Sequence, residues 1–184
     1  MRRRPHRPFR RGLVLALLCC ARAWADAPPT EYQVKAAYLF NFGQFVEWPA
    51  QAWSSPSAPF EICVVGSDPF GSLLDDVTRG EALGGHPLRV RRVASAAEVS
   101  GCQILFIGRS ESDRIVETLQ TLQGRSVLTV TDIEGAENHG AMIVLRNDNK
   151  HIRMRINLAA AKASHLVISS KLLRPAEVVG NDAD

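Results

Sequence analysis

Apolar residues recur at two different spacings along the chain, and the switches between them lay out a succession of helices and strands. Glu31 to Val46 carries Tyr32, Tyr38, Leu39, Phe40, Phe42 and Phe45. Thr30 precedes this run with Gln33 three residues on, so the segment predicts a capped helix that covers one face of a sheet. Phe60 to Val65 is a short apolar run of strand type, ended by Gly66. Asp68-Pro69 then predicts an N-cap and a first-turn proline, with a helix running through Leu73, Leu74 and Val77 to Gly80. Leu88 to Val93 alternates and predicts a second strand, whereas Gln103 to Ile107 is apolar on both faces and predicts a central one. Ser110-Glu111-Ser112-Asp113 reads as a capping box for a helix that buries Ile115, Leu119 and Leu122 and closes at Gly124. Ser126 to Val130 supplies a fourth strand. Ala141 to Arg146 and His151 to Ile156 flank Asn147-Asp148-Asn149-Lys150 and predict a hairpin. Asn157 caps an alanine-rich helix to about Leu166, and Ser169 or Ser170 starts a last one through Leu172 and Leu173. Strand–helix alternation followed by a hairpin predicts a single α/β domain, with a mixed, mostly parallel β-sheet flanked by helices and a C-terminal β-hairpin.

The N-terminus stands apart from this pattern. Residues 1–11 are a basic leader, residues 12–21 a short apolar run, and Ala23-Trp24-Ala25 a small-x-small cleavage site before Asp26. That three-part order predicts a removed secretory signal peptide over residues 1–25 and a domain over 26–184, exported by the Sec route despite the Arg10-Arg11 pair. Cys19 and Cys20 would leave with the leader, and no lipid anchor is expected. No later segment is apolar enough to cross a membrane. Charge changes meaning with the cleavage. The whole chain has 22 Lys+Arg and 19 Asp+Glu, but seven of the arginines precede Asp26. The remaining 159 residues hold 15 basic and 19 acidic side chains, a net charge near −4, which argues against nucleic acid as a partner.

Export also bears on the cysteines. Only Cys63 and Cys102 follow the leader, both inside strand-like runs. In an oxidising compartment such a pair reads as a disulfide, the alternative being two small apolar residues packed in neighbouring strands. Other patterns are weak as chemistry. Gly66 to Gly71 has the two glycines of a phosphate loop but no following lysine, and Pro69 removes a backbone donor. Gly108-Arg109-Ser110 lacks the second glycine of a nucleophile elbow. Asp132, Glu134, Glu137 and His139 share one loop at a spacing that matches neither a calcium loop nor a zinc site. In His151 to Ile156 the apolar side chains take one face, and His151, Arg153 and Arg155 the other. That stripe reads as a solvated face or, with Arg153 and Arg155, as an anion-binding groove.

Several segments together resemble a known family. They are Tyr32 to Phe42 (YQVKAAYLFNF) with Phe45 to Pro49 (FVEWP), Cys63-Val64-Val65-Gly66, Cys102 to Ile107, Ile156-Asn157, and Ile168 to Arg174. The chain resembles the YfiR family (DUF4154) over roughly Tyr32 to Val179. The resemblance implies a dimeric periplasmic α/β protein that is not an enzyme and takes no cofactor or metal. It would bind the periplasmic sensor domain of a YfiN-type inner-membrane diguanylate cyclase and repress it, lowering cyclic-di-GMP signalling and biofilm formation, without inserting into the membrane itself. Some members carry a second cysteine pair towards the C-terminus; this chain has none after Cys102. Contact candidates are Phe40, Phe45 and Trp48 on and just after the first helix, with Lys171, Leu172, Leu173 and Arg174 on the last. Two other readings stand beside this one: a periplasmic small-ligand sensor using Arg153 and Arg155, and an exported hydrolase using Asp132, Glu134 or Glu137.

Overall fold

The computed structural model describes residues 29–180; the signal-peptide expectation for residues 1–25, with Cys19 and Cys20, lies outside the described residues. The first helix, α1 (Glu31–Phe45), begins as expected: Thr30 and Gln33 form a reciprocal capping box. Strands follow as β1 (Val46–Glu47), β2 (Phe60–Val65), β3 (Ala82–Leu83), β4 (His86–Val93), β5 (Cys102–Ile107), β6 (Leu128–Thr131), β7 (Ile143–Asp148), β8 (His151–Asn157), β9 (Val167–Ile168) and β10 (Glu177–Val179). The remaining helices are α2 (Leu73–Thr78), α3 (Ile115–Thr121), α4 (Leu158–Ala163) and α5 (Ser170–Leu173).

Eight strands form one sheet in the order β10-β8-β7-β6-β5-β2-β4-β3, and β1 pairs antiparallel with β9 in a separate small ribbon. The neighbours β4, β2, β5, β6 and β7 run parallel, and β7–β8 is the predicted antiparallel hairpin. Its turn is tighter than the four-residue loop expected from the sequence. Asp148 pairs with His151, and Asn149 and Lys150 both take positive φ, the two-residue turn that matches strand twist. β5 is central and buried along its whole length, because it carries apolar side chains to both faces. One face packs Ile62, Ile104, Phe106 and Val130 against Ala36, Leu39 and Phe42 of α1, Leu74 of α2 and Leu172 of α5. The other packs Val65, Leu105, Ile107 and Val144 against Ile115, Leu119 and Leu122, the stripe predicted for α3.

Two helix starts differ from the sequence expectation. Asp68 does not cap α2; its Oδ1 accepts from the Phe70 N–H at 2.8 Å and closes a turn, and the helix begins five residues later at Leu73. The Ser110–Asp113 capping box does not form either. Ser110 Oγ instead accepts from the Ser67 N–H at 2.8 Å, tying the loop after β2 to the loop after β5, and a 3₁₀ segment (Arg109–Arg114) precedes α3. Ser110 is thus taken by a tertiary contact, and Asp68 by its own turn together with Arg92, whose Nε donates to Asp68 Oδ2 at 2.9 Å. The hairpin β3–β4 was not expected; Gly84 and Gly85, both at positive φ, make its turn. Asn157 caps α4 as predicted, its Oδ1 accepting from the Ala160 N–H at 2.9 Å, but the helix ends at Ala163 rather than near Leu166. Removing either working cap, by Thr30→Ala or Asn157→Ala, is expected to cost ~1 kcal/mol in urea unfolding. An unchanged midpoint would mean that these termini are held by packing alone.

Candidate functional site

One of the large, fully buried side chains is a cation. Lys35 lies on α1 one turn before Leu39 and two before Phe42, so the packing of that helical face carries it under the surface, and it is 0% exposed. Its ammonium donates to Asp132 at 2.6 Å and to Glu31. Tyr32 Oη donates to the same Asp132 oxygen at 3.0 Å, and Arg109 reaches both Asp132 and Glu31 at 3.2 Å. Asp132 follows β6 and Arg109 follows β5, so this network sits at the carboxyl ends of the parallel strands. Open parallel sheets commonly bind ligands at that edge; this chain fills it with its own helix. Burial, and then the charge and hydrogen bond of Asp132, push the Tyr32 phenol up to about 12. Burial works against the Glu31 carboxylate as well, but hydrogen bonds from Lys35 and Asn147 and the charges of Lys35 and Arg109 outweigh it and hold its pKa below the usual carboxylate range. The signal for Lys35 is in the sequence, a lone lysine at the inward spacing of Leu39 and Phe42; that run reads as aromatic and its lysine is easily passed over.

Cys63 and Cys102 form the disulfide, with Cα atoms 5.9 Å apart and both residues buried. A bulge makes room for it. Glu61 pairs with Cys102 but Ile62 pairs with Ile104, so Gln103 bulges and bonds the Glu61 N–H and the Ala52 carbonyl. Arg91 braces the bridge from β4: it reaches Glu61 at 2.9 Å, the carbonyls of Glu98 and Ser100, and Cys102 Sγ at 3.1 Å. Glu61 lies near both sulfurs, but the bridge and Arg91 already hold all three groups, an arrangement unlike a metal centre.

The fold joins the two contact candidates, which lie about 120 residues apart in sequence. β1 continues directly from α1, β9 leads into α5, and the ribbon pairs Val46 with Ile168; the Ser169 N–H also donates to the Phe45 carbonyl. Within this region the side chains divide. Trp48 is half-buried, its Nε1 donating to the Gln103 carbonyl at 3.0 Å and its ring edge-on to Phe60. Phe40, Phe45 and Leu173 are half-buried against the core, and Leu172 is buried in it. Lys171 of α5 and Arg174 at its C-terminal end are exposed, and Val167 of β9 is 60% exposed.

The loop acids of the hydrolase reading do not converge. Asp132 belongs to Lys35, Glu134 pairs with Arg146 at 2.6 Å, and Glu137 pairs with Arg155 at 2.7 Å. Arg155 also holds Glu177 at 2.9 Å and is thereby committed, whereas Arg153 is exposed and, among the described residues, has only Asp148 as an acidic partner, at 3.7 Å. His151, Arg153 and Arg155 do share the outer face of β8, with Met154 and Ile156 buried behind. The turn of the phosphate-loop reading is filled by protein. A Cβ on Gly66, whose φ is +86°, would meet Ser110 Oγ at 2.5 Å and Glu111 Cγ at 2.9 Å.

The family described as YfiR/HmsC-like (DUF4154) matches residues 32–177, most of the chain. No curated protein matches it.

Proposed function

The chain belongs to the YfiR/HmsC-like family, and from that premise we propose that it is a periplasmic repressor of an inner-membrane diguanylate cyclase. The family is regulatory and non-catalytic and is associated with control of diguanylate cyclases. In the proposed scheme residues 1–25 direct export and are removed, and the domain binds as a homodimer to the cyclase's periplasmic sensor. The binding favours the inactive state, so the cyclase population shifts by the difference in affinity for its two states.

The observation that carries the reading is the family match. What supports the contact surface is the pairing of β1 with β9, which joins the end of α1 to the short segment carrying the exposed Val167, Lys171 and Arg174. An exposed apolar residue close in sequence to two exposed cations suits an acidic, partly apolar patch on the sensor. No helix among the described residues is long and apolar enough to cross a membrane; the cyclase would supply the membrane passage.

The test is cellular cyclic-di-GMP after deletion of the gene. A rise on deletion, reversed by the wild-type gene, is the expected result; no change in any growth condition rejects the repressor reading. Complementation with Lys171→Glu/Arg174→Glu is expected to leave cyclic-di-GMP near the deletion level, with the protein's urea midpoint unchanged. Full repression by that variant would reject the surface while leaving the function in place. Leu172→Ala is the contrast: it should lower stability by roughly 2–5 kcal/mol, as a core truncation does.

A further inference from the structure

A groove of about 620 Å³ runs between α1 and the β7–β8 hairpin and ends at Pro175. Its walls are Val34 and Tyr38 from the outer flank of α1 and Ile152 from β8. All three are half-buried, and the Tyr38 ring stacks on Phe42 with centroids 5.9 Å apart. The volume falls within the roughly 300–1,000 Å³ of small-molecule sites, and its lining is mostly apolar with a few charged groups, as such sites are.

The rim decides what kind of molecule fits. The two-residue turn at Asn149-Lys150 brings Lys150 to the mouth, and Arg153, on the outer face of β8, borders the groove along the part of that strand that β10 does not pair. Among the described residues Lys150 makes no ion pair, and Arg153 has only Asp148 at 3.7 Å. One acid also borders the groove, Glu31, but its carboxylate is engaged by Lys35, Arg109 and Asn147. The groove therefore offers apolar walls beneath two cations whose charge is little compensated, beside one acid that is already neutralised. From this we infer that the groove binds small amphipathic organic anions, molecules with an aromatic or aliphatic body and one carboxylate or sulfonate. The body lies against Val34, Tyr38 and Ile152, and the acid group meets Lys150 and Arg153. The cations alone would hold only a weakly bound, salt-sensitive ion; the walls add the apolar burial that an exposed patch of lysine and arginine lacks.

The inference does not rest on the repressor reading, since it concerns the isolated protein. The experiment is fluorescence titration of the purified protein with anilinonaphthalene sulfonate, an aromatic sulfonate, and with phenylnaphthylamine, its uncharged counterpart. Saturable binding of one sulfonate probe per chain is expected, at least tenfold tighter than the neutral probe. Lys150→Glu/Arg153→Glu should weaken the sulfonate about tenfold or more and leave the neutral probe nearly unchanged. Ile152→Glu should abolish binding of both. Circular dichroism and the urea midpoint check that each variant is folded; Lys150 and Arg153 are exposed, so the charge-reversed form is the one that keeps the test decisive if Ile152→Glu fails to fold. Equal affinity for the two probes, several equivalent sites, or sulfonate binding indifferent to the charge reversal would each overturn the assignment.

Discussion

Asp132→Ala is expected to lower stability by ~3 kcal/mol, which at a urea m-value of ~2 kcal/mol/M moves the midpoint down by roughly 1.5 M. The reason is the group left behind. Lys35 and Asp132 both have fully buried side chains, and the ammonium loses its 2.6 Å partner in a place water does not reach. Breaking a buried pair from one side costs about 3–5 kcal/mol; Glu31, which also accepts from Lys35 and is partly exposed, keeps the figure near the lower end. The double change Lys35→Met/Asp132→Asn should recover most of the loss. Methionine fills the lysine's channel without a charge, and asparagine still accepts from Tyr32. Urea unfolding of Lys35→Met, Asp132→Asn and the variant carrying both measures the coupling directly. If the two single losses simply add, the pair is not a coupled unit and its role in seating α1 is wrong.

The second large effect is loss of the disulfide. Cys63 and Cys102 are 39 residues apart, a loop for which the chain-entropy estimate is about 4 kcal/mol. The Cys63→Ala/Cys102→Ala form should therefore unfold at a urea midpoint roughly 2 M below the oxidised protein. Each single alanine variant should lose nearly as much as the double, because either one removes the same cross-link. Reductant should lower the wild-type midpoint and leave the double variant untouched. Both cysteines are buried and a backbone ladder also pairs β2 with β5, so on the proposed function the alanine form is expected to keep partial repression in cells. A double variant as stable as the oxidised protein would show that packing, not the cross-link, holds β2 to β5.

These two devices differ in how far they could be read from the chain. The disulfide needed only an even pair of cysteines and an oxidising compartment. The buried ion pair needed the fold, because Lys35 and Asp132 are 97 residues apart and nothing local marks Asp132 as a partner rather than one more acid in a polar loop. The same division runs through the helix caps. Thr30 and Asn157 cap as their local sequence predicts, since among the described residues no other group bonds their side-chain oxygens. Ser110 and Asp68 do not: Ser110 is taken by the Ser67 N–H and Asp68 by a turn and by Arg92. A capping motif is a short-range preference worth ~1 kcal/mol, so one good tertiary hydrogen bond is enough to displace it.

The candidate surface follows the same logic. Each of its two segments can be picked out in the sequence by its aromatic or cationic content, but composition cannot say which side chains face outward. Trp48 finds a hydrogen bond to Gln103 and Leu172 finds the core, leaving Lys171, Arg174 and Val167 outside. The groove beside α1 was legible only in part. Arg153 stood out on the polar face of an alternating strand together with Arg155. That Arg155 is spent on Glu137 and Glu177 while Lys150 joins Arg153 depends on β10 packing beside β8 and on the tight hairpin turn.

What the sequence determined by itself is therefore the class of fold, the order of its central elements, the hairpin, the working caps and the family, because all of these rest on periodicity and short-range chemistry carried within a few residues. What the tertiary structure alone decided is which charges are buried, which are paired and which remain free. Those outcomes depend on contacts between residues tens of positions apart, and on a desolvation cost that exists only once the sheet and α1 have closed over them.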